Sequence, residues 1–119
     1  MIKVKRVNPI EEWDDAISLI KANWSESNQP IEFNADDARR FYEYLYENSA
    51  LFAIGAYQLD ELVGYCLVSV VPHPFNQSVK MCNIDGFFVI PRLRRGRTAS
   101  KMMDIVREIA KEYNANFIH

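Results

Sequence analysis

The sequence predicts a single α+β domain of three layers, in which a mixed, mostly antiparallel sheet is flanked by helices. Segments with the two-residue period of a β-strand and segments with the period of a helix follow one another in the order β-α-α-β-β-β-α-β. The last strand–helix–strand unit would form a parallel crossover after a run of antiparallel strands. The 119 residues suffice for one hydrophobic core and are too few for two, so we expect residues 1–119 to form one domain.

Composition and charge narrow the classes of function. Hydrophobic residues make up 49% of the chain and charged residues 25%, which is typical of a globular protein. The net charge of -2 makes nucleic acid an unlikely partner, because nucleic-acid-binding domains normally carry a basic excess. Cys66 and Cys82 lack metal-ligand spacing, so we expect two buried free thiols and no metal site. The opening MIKVKRVNPIEEWDD resembles no signal peptide and no stretch could span a membrane, so we expect a cytoplasmic protein with no membrane partner.

The first half of the chain predicts one strand and two helices. IKVKRV at residues 2–7 alternates apolar and charged side chains, as a strand with one solvated face does. A helix follows from Asn8 and Pro9, since proline is favoured at the first helical position. After a loop at residues 25–30, Asn34 caps a second helix that ends near Asn48. The apolar residues at helical spacing are Trp13, Ile17, Ile20 and Trp24 in the first helix and Ala38, Phe41, Tyr42 and Leu45 in the second.

Three apolar and β-branched segments in the middle of the chain predict three strands. Residues 51–57 and 62–71 flank a short polar turn at Asp60, which is typical of a hairpin. Residues 72–78 contain two prolines, so we expect a loop there because proline cannot continue a central strand. The third strand covers residues 79–90 and is stopped by Pro91.

The last quarter predicts a helix and the start of a further strand. The helix extends from Thr98 to Tyr113 with one apolar face formed by Met102, Val106, Ile109 and Tyr113. Residues 115–119 then begin a strand that has hardly started at His119. We therefore expect the chain to be truncated after the start of its fifth strand, with C-terminal strands and a helix missing.

The segment from Ile84 to Tyr113 places a basic loop between a buried strand and a helix. Four of the eight arginines lie within six residues of this loop: Arg92, Arg94, Arg95 and Arg97. The first amides of a helix have no internal acceptor and carry partial positive charge, which makes such an end a site for diphosphate. Gly96 allows close approach of the backbone to phosphate, while Ala99 and Ser100 keep the first turn narrow. A solvated basic loop and a nucleic-acid contact are the alternatives.

This segment resembles the acyl-CoA-binding motif of the GNAT acetyltransferases. That motif has a strand ending in V-x-P, then R/Q-x-x-G-x-G/A, then a helix with paired apolar residues near its start. The chain departs from it at Arg97, which takes the place of the central glycine, while Gly96 stands one position earlier. The matching residues are Val89, Pro91, Arg94, Ala99, Met102 and Met103. The order of the preceding elements is also that of the family, so the resemblance covers essentially the whole chain.

The resemblance implies an acyl-CoA-dependent N-acetyltransferase that uses acetyl-CoA as co-substrate and a primary amine as acceptor. The amine would attack the thioester directly. The acceptor could be a small molecule, such as an amino sugar, polyamine or antibiotic, or the amine of a peptide or protein. The residues that the resemblance assigns to the pantetheine arm are Phe87, Phe88 and Val89, and those that it assigns to the diphosphate are Arg94, Arg95, Gly96, Arg97, Thr98, Ala99 and Ser100.

Asp85 is the candidate general base, because the amine must lose a proton and the family often places a carboxylate at this point of the strand. The alternative is a structural role in which Asp85 accepts hydrogen bonds from loop amides beside Gly86. His73 either borders the acceptor site or is an exposed loop residue. We expect Tyr42, Tyr44 and Tyr46 to be core and surface aromatics rather than acceptor contacts. The tyrosine that usually serves the family as general acid would lie beyond His119.

Two further hypotheses concern the kind of GNAT protein. The Arg97 departure and the missing end favour a non-catalytic GNAT-fold module that binds or assembles with a partner. RRGRTASKMM and HPFN also resemble small GNAT-like proteins of bacteriophages. A homodimer or a larger complex is possible, because GNAT proteins often pair through sheet edges. CoA binding discriminates a catalytic from a non-catalytic member.

Overall fold

The elements follow the predicted order in a computed structural model that describes all 119 residues. Strands β1 to β5 form one sheet in sequence order, antiparallel from β1 to β4, with β5 parallel to β4. The strands are β1 (Ile2–Val7), β2 (Leu51–Gln58), β3 (Glu61–His73), β4 (Asn76–Val89) and β5 (Phe117–Ile118). The helices are α1 (Trp13–Ser27), α2 (Ala35–Glu47) and α3 (Thr98–Glu112), with one 3-10 turn at Pro91–Leu93. None of the helices is long and apolar enough to cross a membrane.

Helix α1 begins and ends later than predicted. The side-chain oxygen of Asn8 accepts hydrogen bonds from the amides of Ile10 at 2.9 Å and Glu11 at 3.1 Å. This turn occupies the residues that were predicted to open the helix, so α1 starts only at Trp13. At its other end α1 continues through Ser27, into the predicted loop, and Asn28 closes it in the left-handed conformation with φ of 52°.

Helix α2 confirms the predicted cap and covers the sheet loosely. The side-chain oxygen of Asn34 accepts from the amide of Asp37 at 3.0 Å, which satisfies one of the free first-turn donors. No residue of α2 is fully buried, and Phe41 in its apolar stripe is 58% exposed. The helix therefore leaves room between itself and the sheet.

The hairpin that joins β3 to β4 corrects the prediction of a loop at residues 72–78. Only Pro74 and Phe75 separate the two strands, and Pro72 pairs with Lys80 inside the ladder. The amide of Val70 donates to the carbonyl of Ala50, so the nitrogen of Pro72, two residues on, faces the same side. Strand β2 starts only at Leu51, so β3 has no neighbouring strand on this side at Pro72. The missing N–H of Pro72 therefore costs no hydrogen bond between strands.

The sheet separates two apolar layers, which confirms the three-layer prediction. The larger layer packs α3 against the sheet through Met102, Val106 and Ile109, all fully buried. It also contains Cys66 and Cys82, which are buried free thiols as predicted, and burial raises the pKa of Cys66 to about 12. The smaller layer lies under α1 and α2 and consists of Ala16, Leu51, Ala53, Tyr65 and Leu67.

A bulge at Asp85 changes the direction of the peptide groups of β4. Val68 pairs with Ile84 and Leu67 pairs with Gly86, so Asp85 is an extra residue with no partner on β3. Before the bulge, β4 pairs with β5, and the last bond is donated by the amide of Ile84 to the carbonyl of His119. After the bulge, β4 continues beside β3 alone to Val89. This stretch after the bulge forms one wall of the candidate site.

Candidate functional site

A cavity lies between α1, α2 and the part of β4 that follows the bulge. Its volume is about 470 Å³. The half-covered sheet under α2 creates it, because the side chains of α2 do not fill the space above β3 and β4. Its floor includes Tyr65 and Leu67 of β3 and residues 85–88 of β4, and its other walls come from α1, α2 and the loop between them.

Asp85, the predicted general base, lines this cavity. Asp85 is exposed to solvent as a residue, yet the groups around its carboxyl partly desolvate it and raise its pKa, and the Ser69 hydroxyl offsets part of this by hydrogen bonding. No backbone amide donates to Asp85, so the structural alternative of a carboxylate bound to loop amides does not occur. The bulge therefore presents a carboxyl group with a raised pKa to the cavity.

Two tyrosines line the same cavity and keep their phenolic protons at neutral pH. Burial, followed by the charge of Asp85, raises the pKa of Tyr42 to about 12. Burial also raises the pKa of Tyr65, which is 3% exposed and whose hydroxyl has no hydrogen-bond partner in the protein. Tyr42 lines the cavity, and the expectation that it is not an acceptor contact stays a prediction. Tyr42 lies in the apolar stripe of α2, and the sequence pattern alone does not distinguish a residue that lines a cavity from one that packs in the core.

A second cavity of about 210 Å³ adjoins the first. Phe87 and Phe88 line both cavities, so ligands in the two would meet at these side chains. Its remaining lining residues are Glu26, Val89, Arg94 and Ala99. The strand end, the arginine loop and the start of α3 thus converge on one space, as the sequence predicted.

The peptide groups of residues 87–89 do not all face this space. The amide of Ile90 donates to the carbonyl of Val63 at 3.0 Å, and Phe88 pairs with Tyr65. Because peptide groups alternate along a strand, those of Phe88 face β3, and those of Phe87 and Val89 face the outer edge. The carbonyl of Val89 accepts from Nε of Arg94 at 2.7 Å. The groups left for a ligand are therefore the N–H and C=O of Phe87 and the N–H of Val89.

The loop and the first turn of α3 present several free amides. Within the loop, the amide of Arg94 donates to Pro91 and that of Gly96 donates to Leu93, whereas the amides of Arg95 and Arg97 donate to no acceptor. Thr98, Ala99 and Ser100 form the first turn of α3, where no earlier helical carbonyl is available, and no side chain caps this end. These five amides form a concentrated donor set for an anion.

Gly96 lies in the arginine loop in a backbone conformation that other residues also adopt. Its amide is already used, and its φ does not lie in the left-handed region. A Cβ at this position would meet only the carbonyl oxygen of Leu93, at 3.7 Å, which is an ordinary contact. The backbone of the loop therefore does not require glycine here.

The four arginines of the loop divide into one paired and three unpaired side chains. Nη2 of Arg94 donates to both carboxylate oxygens of Glu26, at 2.8 and 3.0 Å, and its guanidinium lies 5.0 Å from the ring centre of Phe88. Arg92, Arg95 and Arg97 are exposed and form no ion pair. Glu26 was not predicted as a site residue, since on the sequence it is one more surface acid near the end of a helix.

The other residues singled out from the sequence lie away from both cavities. His73 closes the β3–β4 turn, where its Nδ1 accepts from the amide of Phe75 at 3.0 Å. Tyr44 is 59% exposed, and the hydroxyl of Tyr46 accepts from the side-chain amide of Asn8. These three residues have local roles on the surface.

Comparison with known proteins agrees with the arrangement of strand, loop and helix. The model of the acetyltransferase (GNAT) family matches residues 13–119. The chain belongs to the GNAT acetyltransferase family. The resemblance predicted from the sequence is thereby confirmed. No curated protein sequence matches this GNAT chain significantly.

Solved structures show the same fold at low sequence identity. A predicted acetyltransferase from Clostridium acetobutylicum, crystallised with acetyl-CoA, superposes with a TM-score of 0.85 at 16% identity, covering 100% of this GNAT chain and 79% of the other. Ribosomal-protein-alanine N-acetyltransferase from Brucella melitensis biovar Abortus 2308 gives 0.70 at 17% identity, with coverage of 99% and 77%. Aminoglycoside N-acetyltransferase AAC(6')-Iy in complex with CoA gives 0.75 at 16% identity, with coverage of 99% and 74%. The likeness to bacteriophage proteins and the missing C-terminal part stay predictions.

Proposed function

We propose that this GNAT protein is an acetyl-CoA-dependent N-acetyltransferase that acts on a primary amine. The observation that carries the proposal is the contact of two cavities at Phe87 and Phe88, one with a carboxyl group and the other with a set of free amides. Acetyl-CoA supplies an acetyl group activated as a thioester, which an amine takes directly with release of the CoA thiol. The acceptor amine occupies the larger cavity.

The residues around the smaller cavity fit the diphosphate and the pantetheine arm of CoA. The amides of residues 95 and 97–100 donate to the diphosphate, and the unpaired guanidinium groups of Arg95 and Arg97 add full positive charge. The N–H and C=O of Phe87 bind the amide groups of the pantetheine arm as an added strand would. Glu26 competes with a phosphate for the guanidinium of Arg94. The position that departs from the family motif, Arg97, thus brings an amide and a charge.

Asp85 accepts the proton that the ammonium group must lose. A carboxylate with an ordinary pKa is a weak base toward an amine, and burial moves the pKa of Asp85 upward, toward the working pH. The ionised form is the base, so activity rises as pH passes upward through this pKa. Asp85 lines the larger cavity, as do Phe87 and Phe88, which the two cavities share.

Titration calorimetry with acetyl-CoA tests the cofactor half of the proposal. We expect wild-type protein to bind acetyl-CoA and Arg97→Glu to bind it at least about tenfold more weakly, because charge-assisted hydrogen bonds contribute about 1.5–3 kcal/mol. Arg107→Glu is the matched control, since Arg107 is an exposed arginine of α3 paired with Asp104, away from the loop. Folded protein that binds no acetyl-CoA would overturn the proposal and favour the non-catalytic module.

A further inference from the structure

We infer that the larger cavity binds a primary ammonium group carried on an aromatic or similarly apolar body, and that it rejects amines that also carry a phosphate or carboxylate. The choice of acceptor rests on the proposed function, because it identifies this cavity with the amine site. Binding of the ligand itself does not depend on acetyl transfer. The inference follows from the walls and the charges of the cavity.

The walls of the cavity are unusually rich in aromatic rings. Seven of its 19 lining residues are aromatic: Trp24, Phe33, Phe41, Tyr42, Tyr65, Phe87 and Phe88. The rings of Trp24 and Phe33 lie 6.0 Å apart, and those of Phe41 and Tyr42 lie 5.4 Å apart, edge to face. Rings at such distances form a continuous apolar surface that also attracts cations through its faces. A sugar with many hydroxyl groups would find few hydrogen-bond partners against it.

All charged side chains of the cavity are acidic. Glu32, Asp37 and Asp85 line it, and no lysine, arginine or histidine does. Asp37 is paired with Arg40 of the same helix, whereas Glu32 and Asp85 form no ion pair. A cation is therefore attracted, and a phosphate or carboxylate would enter a partly dry space without a positive partner.

The charged and aromatic groups of the cavity assign the two parts of the ligand. Asp85 contributes an unpaired carboxyl group, whereas Trp24, Phe33 and Phe41 contribute rings from α1, the following loop and α2. The ammonium group thus pairs with Asp85, and the apolar body packs against the rings.

Two probes of opposite charge character test the inference. Phenethylamine is an aromatic primary amine, and glucosamine 6-phosphate is an amine with a polar, anionic body. We expect phenethylamine to bind at least about tenfold more tightly by calorimetry and to perturb the indole resonance of Trp24. We also expect at least tenfold higher kcat/KM with acetyl-CoA. A preference for glucosamine 6-phosphate, or equal binding of the two, would overturn the inference.

A pair of variants on α2 localises the binding. Phe41 and Tyr44 are 58% and 59% exposed, and only Phe41 lines the cavity. Phe41→Lys places a positive charge at the cavity and should weaken phenethylamine binding at least about fivefold, while Tyr44→Lys leaves it unchanged. Equal effects in the two variants would contradict binding in this cavity.

Separate titrations distinguish the failure of this inference from the failure of the proposed function. If acetyl-CoA binds and the anionic amine is preferred, the amine class is wrong and acetyl transfer stands. If phenethylamine binds and acetyl-CoA does not, the proposed transferase falls while the ligand class stands.

Discussion

The ion pair between Glu26 and Arg94 engages one arginine of the loop between β4 and α3, which we propose binds the diphosphate of CoA. Nη2 of Arg94 contacts both oxygens of Glu26, and the two side chains are 41% and 49% exposed. Exposed pairs contribute about 0.2–1 kcal/mol, because solvent screens them. This energy must be given up when Arg94 turns to a diphosphate, and the charge of Glu26 also opposes an anion at this position. We therefore predict that Glu26→Gln strengthens acetyl-CoA binding.

The expected gain is modest and depends on salt. Removal of up to about 1 kcal/mol of competing interaction corresponds to a decrease in Kd of up to about fivefold, since 1.4 kcal/mol is a factor of ten. The gain should shrink as salt is added, because the pair lies at the surface. Calorimetric titration with acetyl-CoA at low and at high salt measures both effects.

A remote ion pair provides the control. Arg6 and Glu112 form an ion pair at 2.7 Å, and their side chains are 38% and 51% exposed. Glu112 lies at the opposite end of α3 from the arginine loop. Glu112→Gln should leave the Kd unchanged. Weaker binding by Glu26→Gln would refute the reasoning, because it would mean that Glu26 orients Arg94 for the phosphate rather than competing for it.

Three further predictions concern stability and the loop. Asp85→Asn should raise the melting temperature at neutral pH and leave it unchanged in acid. Burial raises the pKa of Asp85, so the ionised carboxylate destabilises the fold, and this loss is recovered as pH falls below that pKa. An equal gain in melting temperature at all pH values would contradict this. Met102→Ala should lower the free energy of unfolding by about 2–5 kcal/mol in urea titrations, because Met102 is fully buried under α3; a loss below about 1 kcal/mol would contradict close packing there. Gly96→Ala should change the Kd for acetyl-CoA less than about twofold, since a Cβ fits 3.7 Å from Leu93, and a tenfold loss would show that the glycine itself is needed by the ligand.

Local signals in the sequence predicted most of the fold. The apolar periods predicted every strand and helix in order, and Asn34 predicted the start of α2 because its cap depends only on the next three residues. The strand, arginine loop and helix of the proposed phosphate site were predictable for the same reason. All their parts are contiguous between Ile84 and Tyr113.

The errors arose where tertiary position decides the outcome. Pro72 predicts the end of a strand, yet it lies within β3 at a point where β2 does not extend beside it. The residues next to Pro72 in the sequence do not indicate this edge position. Asn8 and Pro9 read as a helix start, but the Asn8 side chain stabilises a separate turn before Trp13. The ion pair between Arg94 and Glu26 joins residues 68 positions apart, so no local pattern in the sequence predicts it. The aromatic cavity was missed because its rings come from α1, a loop, α2, β3 and β4.

The catalytic role of Asp85 is the central claim, and turnover by Asp85→Asn tests it most directly. Acetyl-CoA binding by calorimetry and transfer to phenethylamine by thiol release should be measured on the same samples of wild type and variant. We predict an unchanged Kd for acetyl-CoA and a fall in kcat of about 10²–10⁴, the usual contribution of a general base. Wild-type turnover in the folded variant would show that the carboxyl group at the β4 bulge does not accept the proton, and would contradict the claim.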